Sequence, residues 1–127
     1  MTHIKTQYIS GHGDLSQAEF DAHYRDRLFR AFMAYDSFVV GDFKGCDQMA
    51  QAYLTSLFID PERVTVYHML DNPRFNIGDF PTLGGFESDE DRDEAMTYAS
   101  DDDIAWVRPG RETSGTAKNI ERRKSIT

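Results

Sequence analysis

The sequence predicts an α/β fold: a single three-layer domain with a parallel sheet of about four to five strands and helices on both faces. Three observations carry this. Short apolar runs alternate with helix-spaced apolar stripes along the chain. Several of the runs end in a glycine-bearing turn that opens a helix. The length of 127 residues suits one domain with one modest core.

Tyr8-Ile9-Ser10-Gly11-His12-Gly13 starts with β-favouring residues and ends in small ones, which predicts a first strand running into a turn. Ser16 followed by Glu19 has the spacing of a capping box. Phe20, Tyr24, Leu28 and Phe32 then recur every four residues, the stripe of one continuous helix ending near Tyr35. Ser37 to Val40 is an apolar run without alternation, as in a strand covered on both faces, and it stops at Gly41.

After the turn Gly41-Asp42-Phe43-Lys44-Gly45, Asp47 is placed to cap a helix with Met49, Ala50, Tyr53, Leu54 and Leu57 as its buried stripe. Val64 to Met69 is a third strand, introduced by Pro61 and closed by Asp71-Asn72-Pro73. From there to Glu87 no period persists, which predicts a long loop of the kind often used for function. Ser88 to Ala99 reads as a helix with an acidic first turn and Ala95, Met96 and Ala99 inward. Ile104 to Val107 is the fourth strand, and Thr116 to Lys124 a last helix with a basic end.

Charge narrows the partners. With 14 basic against 22 acidic side chains the net charge is −8, which repels a phosphate backbone and argues against a nucleic-acid polymer. No apolar run approaches the ~18 residues that cross a bilayer, and His3, Lys5, Thr6 and Gln7 lack a signal-peptide core, so a cytoplasmic location and no membrane partner are expected. Cys46 is the only cysteine, which precludes an internal disulfide. It follows a glycine at a helix start and reads as a small buried residue. Neither metal nor cofactor is expected, because His3, His23 and His68 show no ligand spacing; His68 reads as a packed strand residue.

Ligands of open parallel sheets bind outside the carboxyl ends of the strands, where helix N-termini aim free amides. Three glycine turns would converge there: Ser10-Gly11-His12-Gly13, Gly41 to Gly45, and Pro109-Gly110-Arg111-Glu112-Thr113-Ser114-Gly115-Thr116. Glycine lets a phosphate or ribose approach the backbone, and Ser114 and Thr116 add hydroxyls. Sheet geometry alone is the competing explanation for each turn. His12 reads equally as a ligand contact or an ordinary turn residue, while Arg74 and Arg111 sit in the loops placed to overhang the site. Trp106, Phe75, Phe80 and Phe86 are candidates for stacking on a base, with filling core the stronger reading of Trp106. No turn matches the phosphate-loop pattern or the full dinucleotide fingerprint.

Ile9-Ser10-Gly11-His12, Val40 to Asp47 and Ser114-Gly115-Thr116-Ala117 together resemble the Rossmann-like SLOG superfamily. That superfamily holds the lysine-decarboxylase-like phosphoribohydrolases, DNA-processing protein A and the YpsA-like proteins, and is related to the nucleoside deoxyribosyltransferases. The resemblance implies a site for a nucleotide or nucleotide derivative at the sheet's C-terminal edge and N-glycosidic chemistry upon it. Arg92 is similar to the hydrolases' phosphate-binding arginine, and Pro109-Gly110 with Gly115-Thr116 resembles their Pro-Gly-Gly-x-Gly-Thr-x-x-Glu loop. Arg111 replaces the second glycine, two residues are inserted, and Asn119 stands where the glutamate belongs.

The nearest carboxylate to that position is Glu121, with Asp42, Asp47 and Glu112 as substitutes, although in a chain this acidic most carboxylates are solvated or cap helices. The expected ligand contacts are therefore Ser10, Gly11, His12, Gly13, Gly41, Asp42, Gly45, Asp47, Arg92, Pro109, Gly110, Arg111, Ser114, Gly115 and Thr116. Catalysis would fall to Glu121, Asp42 and Arg92. A non-catalytic nucleotide sensor or carrier is the alternative, with a purely structural interaction protein behind it. A homo-oligomer, most simply a dimer, is expected because so small a sheet leaves edges to cover.

Overall fold

Apolar side chains at consecutive strand positions give this sheet two buried faces, and the helices divide between them. In the computed structural model, which describes residues 4–127, the strands are β1 (Thr6–Ser10), β2 (Ser37–Gly41), β3 (Val64–Met69), β4 (Thr82–Phe86) and β5 (Asp102–Ala105). The helices are α1 (Gln17–His23), α2 (Arg25–Met33), α3 (Cys46–Ser56), α4 (Asp89–Tyr98) and α5 (Gly115–Ile126), with a 3-10 turn at Pro61–Arg63. His3 lies outside the described residues.

The strands pair in the order β4-β3-β2-β1-β5, all parallel. Ile9, Val40, Val66 and Ile104 fall in adjacent register and pack with Phe20, Leu28, Ala50 and Leu54 from the first three helices. Tyr8, Val39 and Tyr67 point the other way and meet Met96 of α4. Right-handed crossovers explain the division. The chain steps from β1 to β4 in one direction, so those connections share one face, and then returns past β1 to β5, which puts α4 and α5 on the other. The molecule is a single Rossmann-like α/β domain. Among the described residues no helix is long and apolar enough to cross a membrane.

Several expectations are corrected. The stripe from Phe20 to Phe32 runs through two helices, broken at Tyr24 (φ −122°, ψ −41°). Tyr24 is fully buried, and its hydroxyl donates to the Ser10 carbonyl (2.7 Å) and accepts the Trp106 N–H (3.0 Å). That bridge ties the C-terminal ends of β1 and β5, and the periodicity survives the break because both helices bury the same side. Asp47 is not the cap of α3. Gly45 holds that place at φ +78°, and Asp47 turns back to accept the Phe43 N–H (3.1 Å).

The loop expected to run to Glu87 contains β4, an exposed edge strand whose Thr82-Leu83-Gly84-Gly85 lacks strand-like alternation. Its crossover from β3 is irregular chain. Gln51 of α3 pins it, donating to the Phe75 carbonyl (3.3 Å) and accepting from Ile77 N–H (2.9 Å), while Phe80 is buried beneath. β5 starts two residues earlier than expected, with Asp103 ion-paired to Arg123 (3.0 Å) and Lys5 to Asp102 (2.9 Å). Trp106 therefore lies beyond the strand and stacks on His23 (centroids 3.9 Å apart). Ala99 is exposed at the end of α4, whose buried face is Arg92, Met96 and Thr97.

Candidate functional site

The order of strands reverses direction at β1, so the helices diverge there and leave a crevice between the carboxyl ends of β1 and β5. A cavity of about 240 Å³ occupies it. Ser10, Gly11, His12 and Gly13 line it from the end of β1 and the turn after it, and Arg111, Ser114, Gly115 and Thr116 from the loop that opens α5. Asp47 and Arg92 close its inner end.

Close packing accounts for the glycines of the turn after β1. A Cβ on Gly11 would stand 2.5 Å from the Cys46 sulfur and from the Tyr24 hydroxyl. The His12 carbonyl accepts the Cys46 N–H (3.1 Å), which seats the start of α3 against the first turn. The glycines of the first two turns thus have a packing role whatever the cavity holds, and Cys46 is fully buried there.

The third turn is different. Ser114 caps α5 by accepting the Ala117 N–H (3.2 Å), which leaves the Gly115 and Thr116 amides without a partner in the helix. Nothing crowds the position of a Cβ on Gly115. Ser10 lines the same cavity, and its hydroxyl oxygen is buried and has no hydrogen-bond partner among the described residues. An orphaned buried hydroxyl costs free energy unless something meets it.

His12 is buried, and its Nε2 accepts the Arg108 N–H (2.9 Å). Burial, then the Arg111 and Arg108 charges, push its pKa below the usual histidine value. Arg108 is in turn clamped by Glu19 through two bonds (2.8 and 2.7 Å) and by Asp14 (3.1 Å). The capping-box glutamate of α1 thus also anchors the loop after β5. Arg111 is exposed and only loosely held by Asp14 at 3.4 Å.

Arg92 is buried, and each of its guanidinium nitrogens faces a carboxylate. Nη1 donates to Asp42 (2.7 Å), Nη2 to Asp93 (3.0 Å) and Nε to Asp93 (3.3 Å), with Asp89 at 3.2 Å. Asp42 is also held by the Arg74 amide (2.8 Å) and guanidinium (2.8 and 3.2 Å). Burial pushes the Asp42 pKa up, but the Arg74 hydrogen bonds and the two charges hold it below the ordinary carboxylate value. For Asp47 burial wins: against the Arg92 charge and the Phe43 amide, it raises the pKa to about 7.

Five expected contacts lie outside the lining. Gly41, Asp42 and Gly45 sit behind the wall, where a Cβ on Gly41 would stand 2.5 Å from Asp47 Oδ2, and Pro109 and Gly110 are exposed beside the opening. Glu121 is exposed and paired with Lys124 (3.4 Å), away from the cavity; Glu112 is exposed and accepts the Gly110 N–H (3.0 Å). Phe80 is in the core and Phe86 stacks on Tyr67, so of the phenylalanines it is Phe43 that lines the cavity. Tyr8, Asp89, Asp93, Met96 and Asn119 complete the lining. Alternation in β1 could have placed Tyr8 beside Ser10, and Asp89 and Asp93 share a helix side with Arg92. Asn119 is buried, donating to the Tyr8 hydroxyl (3.0 Å) and accepting from Arg122 (2.7 Å).

No protein-family model, no curated protein and no solved structure matches the chain.

Proposed function

We propose that this cleft binds a nucleotide or nucleotide derivative, with its phosphate against the first turn of α5. The observation that carries the reading is the Ser10 hydroxyl, buried without a partner among the described residues; Ser10 lines the same cavity as Gly115 and Thr116, whose amides are free. A helix N-terminus stabilises an anion through its amides and dipole, and a phosphate oxygen would also satisfy Ser10. Arg111 is the exposed cation best placed to close on it, whereas Arg92 is committed to Asp42 and Asp93. The cavity is near the lower end of small-molecule sites, roughly 300–1,000 Å³, which favours a mononucleotide over a dinucleotide.

This agrees with the resemblance to the SLOG superfamily and its phosphoribohydrolases, and N-glycosidic hydrolysis or transfer is the activity we propose for it. One observation favours a sensor or carrier without catalysis: Asn119, where those hydrolases carry glutamate, is fixed between Tyr8 and Arg122 as a structural amide.

A thermal-shift screen tests the binding. Nucleoside monophosphates, their deoxy forms, ADP-ribose, NAD and cyclic nucleotides are offered at millimolar concentration. Ligand at 100 times its Kd stabilises by about 2.7 kcal/mol, several degrees for a domain of this size. Ser10→Ala should raise the melting temperature of the free protein and shrink the ligand-induced rise. A flat screen across all phosphate-bearing compounds refutes the reading.

A further inference from the structure

The carboxylates at the inner end of the cleft are not equivalent. Asp42 is shared between two arginines, and Asp89 and Asp93 are paired with Arg92. Asp47 stands apart. Its residue is 7% exposed, it lines the cavity, and it forms no ion pair among the described residues. Its one hydrogen bond is the Phe43 N–H on Oδ2. Arg92 is drawn off toward Asp42 and Asp93.

We propose that Asp47 is the proton donor to the leaving base in a glycosidic cleavage carried out in this cleft, with Asp93 as the carboxylate that stabilises positive charge on the sugar. The proposal rests on the reading of the cleft as a nucleotide site, and the unpartnered Ser10 hydroxyl in the same cavity supports that reading independently. Cleavage at an anomeric carbon uses two carboxyl groups, one that protonates the leaving group and one beside the sugar. Here Asp47 is buried in the cavity wall and forms no ion pair among the described residues, while Asp93, with 17% of its side chain exposed, is ion-paired to Arg92.

The step balances with water as co-reactant. The bond between C1′ and the base nitrogen breaks with its electron pair going to the base, which takes the Asp47 proton. A water oxygen bonds to C1′, one of its protons returns to the Asp47 carboxylate, and free base and sugar phosphate leave. The groups surrounding Asp47 are Tyr8 and His12 from β1 and its turn, Asp42 beneath it and Asp89, Arg92 and Asp93 from α4. Arg111 reaches the cavity from the loop after β5, and Arg74 acts through Asp42. Burial outweighs them and keeps Asp47 protonated up to about pH 7.

The test uses the whole protein and two kinds of leaving group: ordinary purine and pyrimidine nucleoside monophosphates, and 7-methylguanosine monophosphate, whose cationic base departs without a proton. In the wild type, kcat/KM for ordinary bases should fall as pH rises through about 7 while the methylated substrate keeps its rate. Asp47→Asn should lose about 100-fold or more on ordinary bases and less than about 10-fold on the methylated one, whereas Asp93→Asn should lose on both. The wild-type pH comparison stands even where a variant fails to fold. Equal losses of Asp47→Asn on both substrates, or a flat wild-type profile, overturn the assignment of Asp47. Ligand binding without release of any base also overturns it but leaves the nucleotide site standing, and a flat binding screen removes both.

Discussion

Arg92 Nη1 donates to Asp42 Oδ1 across 2.7 Å, joining α4 to the turn after β2 through two side chains that are 6% and 1% exposed. Breaking a buried pair strands the surviving charge, which costs about 3–5 kcal/mol. Arg92→Met should therefore lose stability on that scale in urea unfolding. Asp42→Asn with Arg92→Met should lose less than the two single changes summed, because the pair is coupled. Additive losses would mean that Arg74 alone satisfies Asp42.

His12 and Arg108 make a second prediction, because a nitrogen that accepts a backbone N–H carries no proton. The neutral ring must hold its hydrogen on Nδ1. Nitrogen-15 shifts of His12 should report that tautomer at pH 7, with Nε2 unprotonated. The folded pKa lies below the ordinary histidine value of 6.5. The stabilisation it contributes is thus complete above that value and lost as pH falls through the lower folded one. An imidazolium signal at pH 7 contradicts this.

Most of the fold could be read from the chain because its signals are local. Val64 to Met69 is β3 to the residue, and Ser16 with Glu19 makes both halves of a capping box. The misreadings arise where a distant partner decides. Tyr24 breaks a helix to bridge Ser10 and Trp106, and β4 contains Gly84 where His68 leaves no space for a Cβ. The convergence of the first and third glycine turns was legible from the α/β order alone. The inner end of the cleft was not. Which carboxylate finds an arginine depends on α4 lying over the turn after β2, a pairing fifty residues apart in sequence.

Two helix ends carry aromatic residues in a conformation suited to glycine. α3 closes with Phe58 at φ +57°, its N–H donating to Thr55 (3.0 Å) and the next N–H, of Ile59, to Leu54 (3.3 Å). Tyr35 does the same after α2 at φ +64°. Phe58 is 94% exposed, so no packing repays the strain. Phe58→Gly should stabilise the fold by about 1 kcal/mol, seen as a higher denaturation midpoint at unchanged m-value. A loss would show that the ring contributes contacts which its exposure conceals.

Asp47 gives the sharpest pH test of the site, and it reads stability, which needs no ligand. Its folded pKa of about 7 lies above the ordinary aspartate value of 3.8, so between those limits the folded state binds a proton that the unfolded state has released. Stability from this group is therefore full below pH 4 and is lost as pH rises toward 7, by an amount on the order of 4 kcal/mol. Asparagine cannot titrate and fits the same space. The stability of Asp47→Asn relative to the wild type should thus climb across pH 4 to 7 and level off above. Parallel curves would mean that the carboxyl ionises at its ordinary value, which requires Arg92 to serve Asp47 in solution and leaves no proton held at the inner end of the cleft.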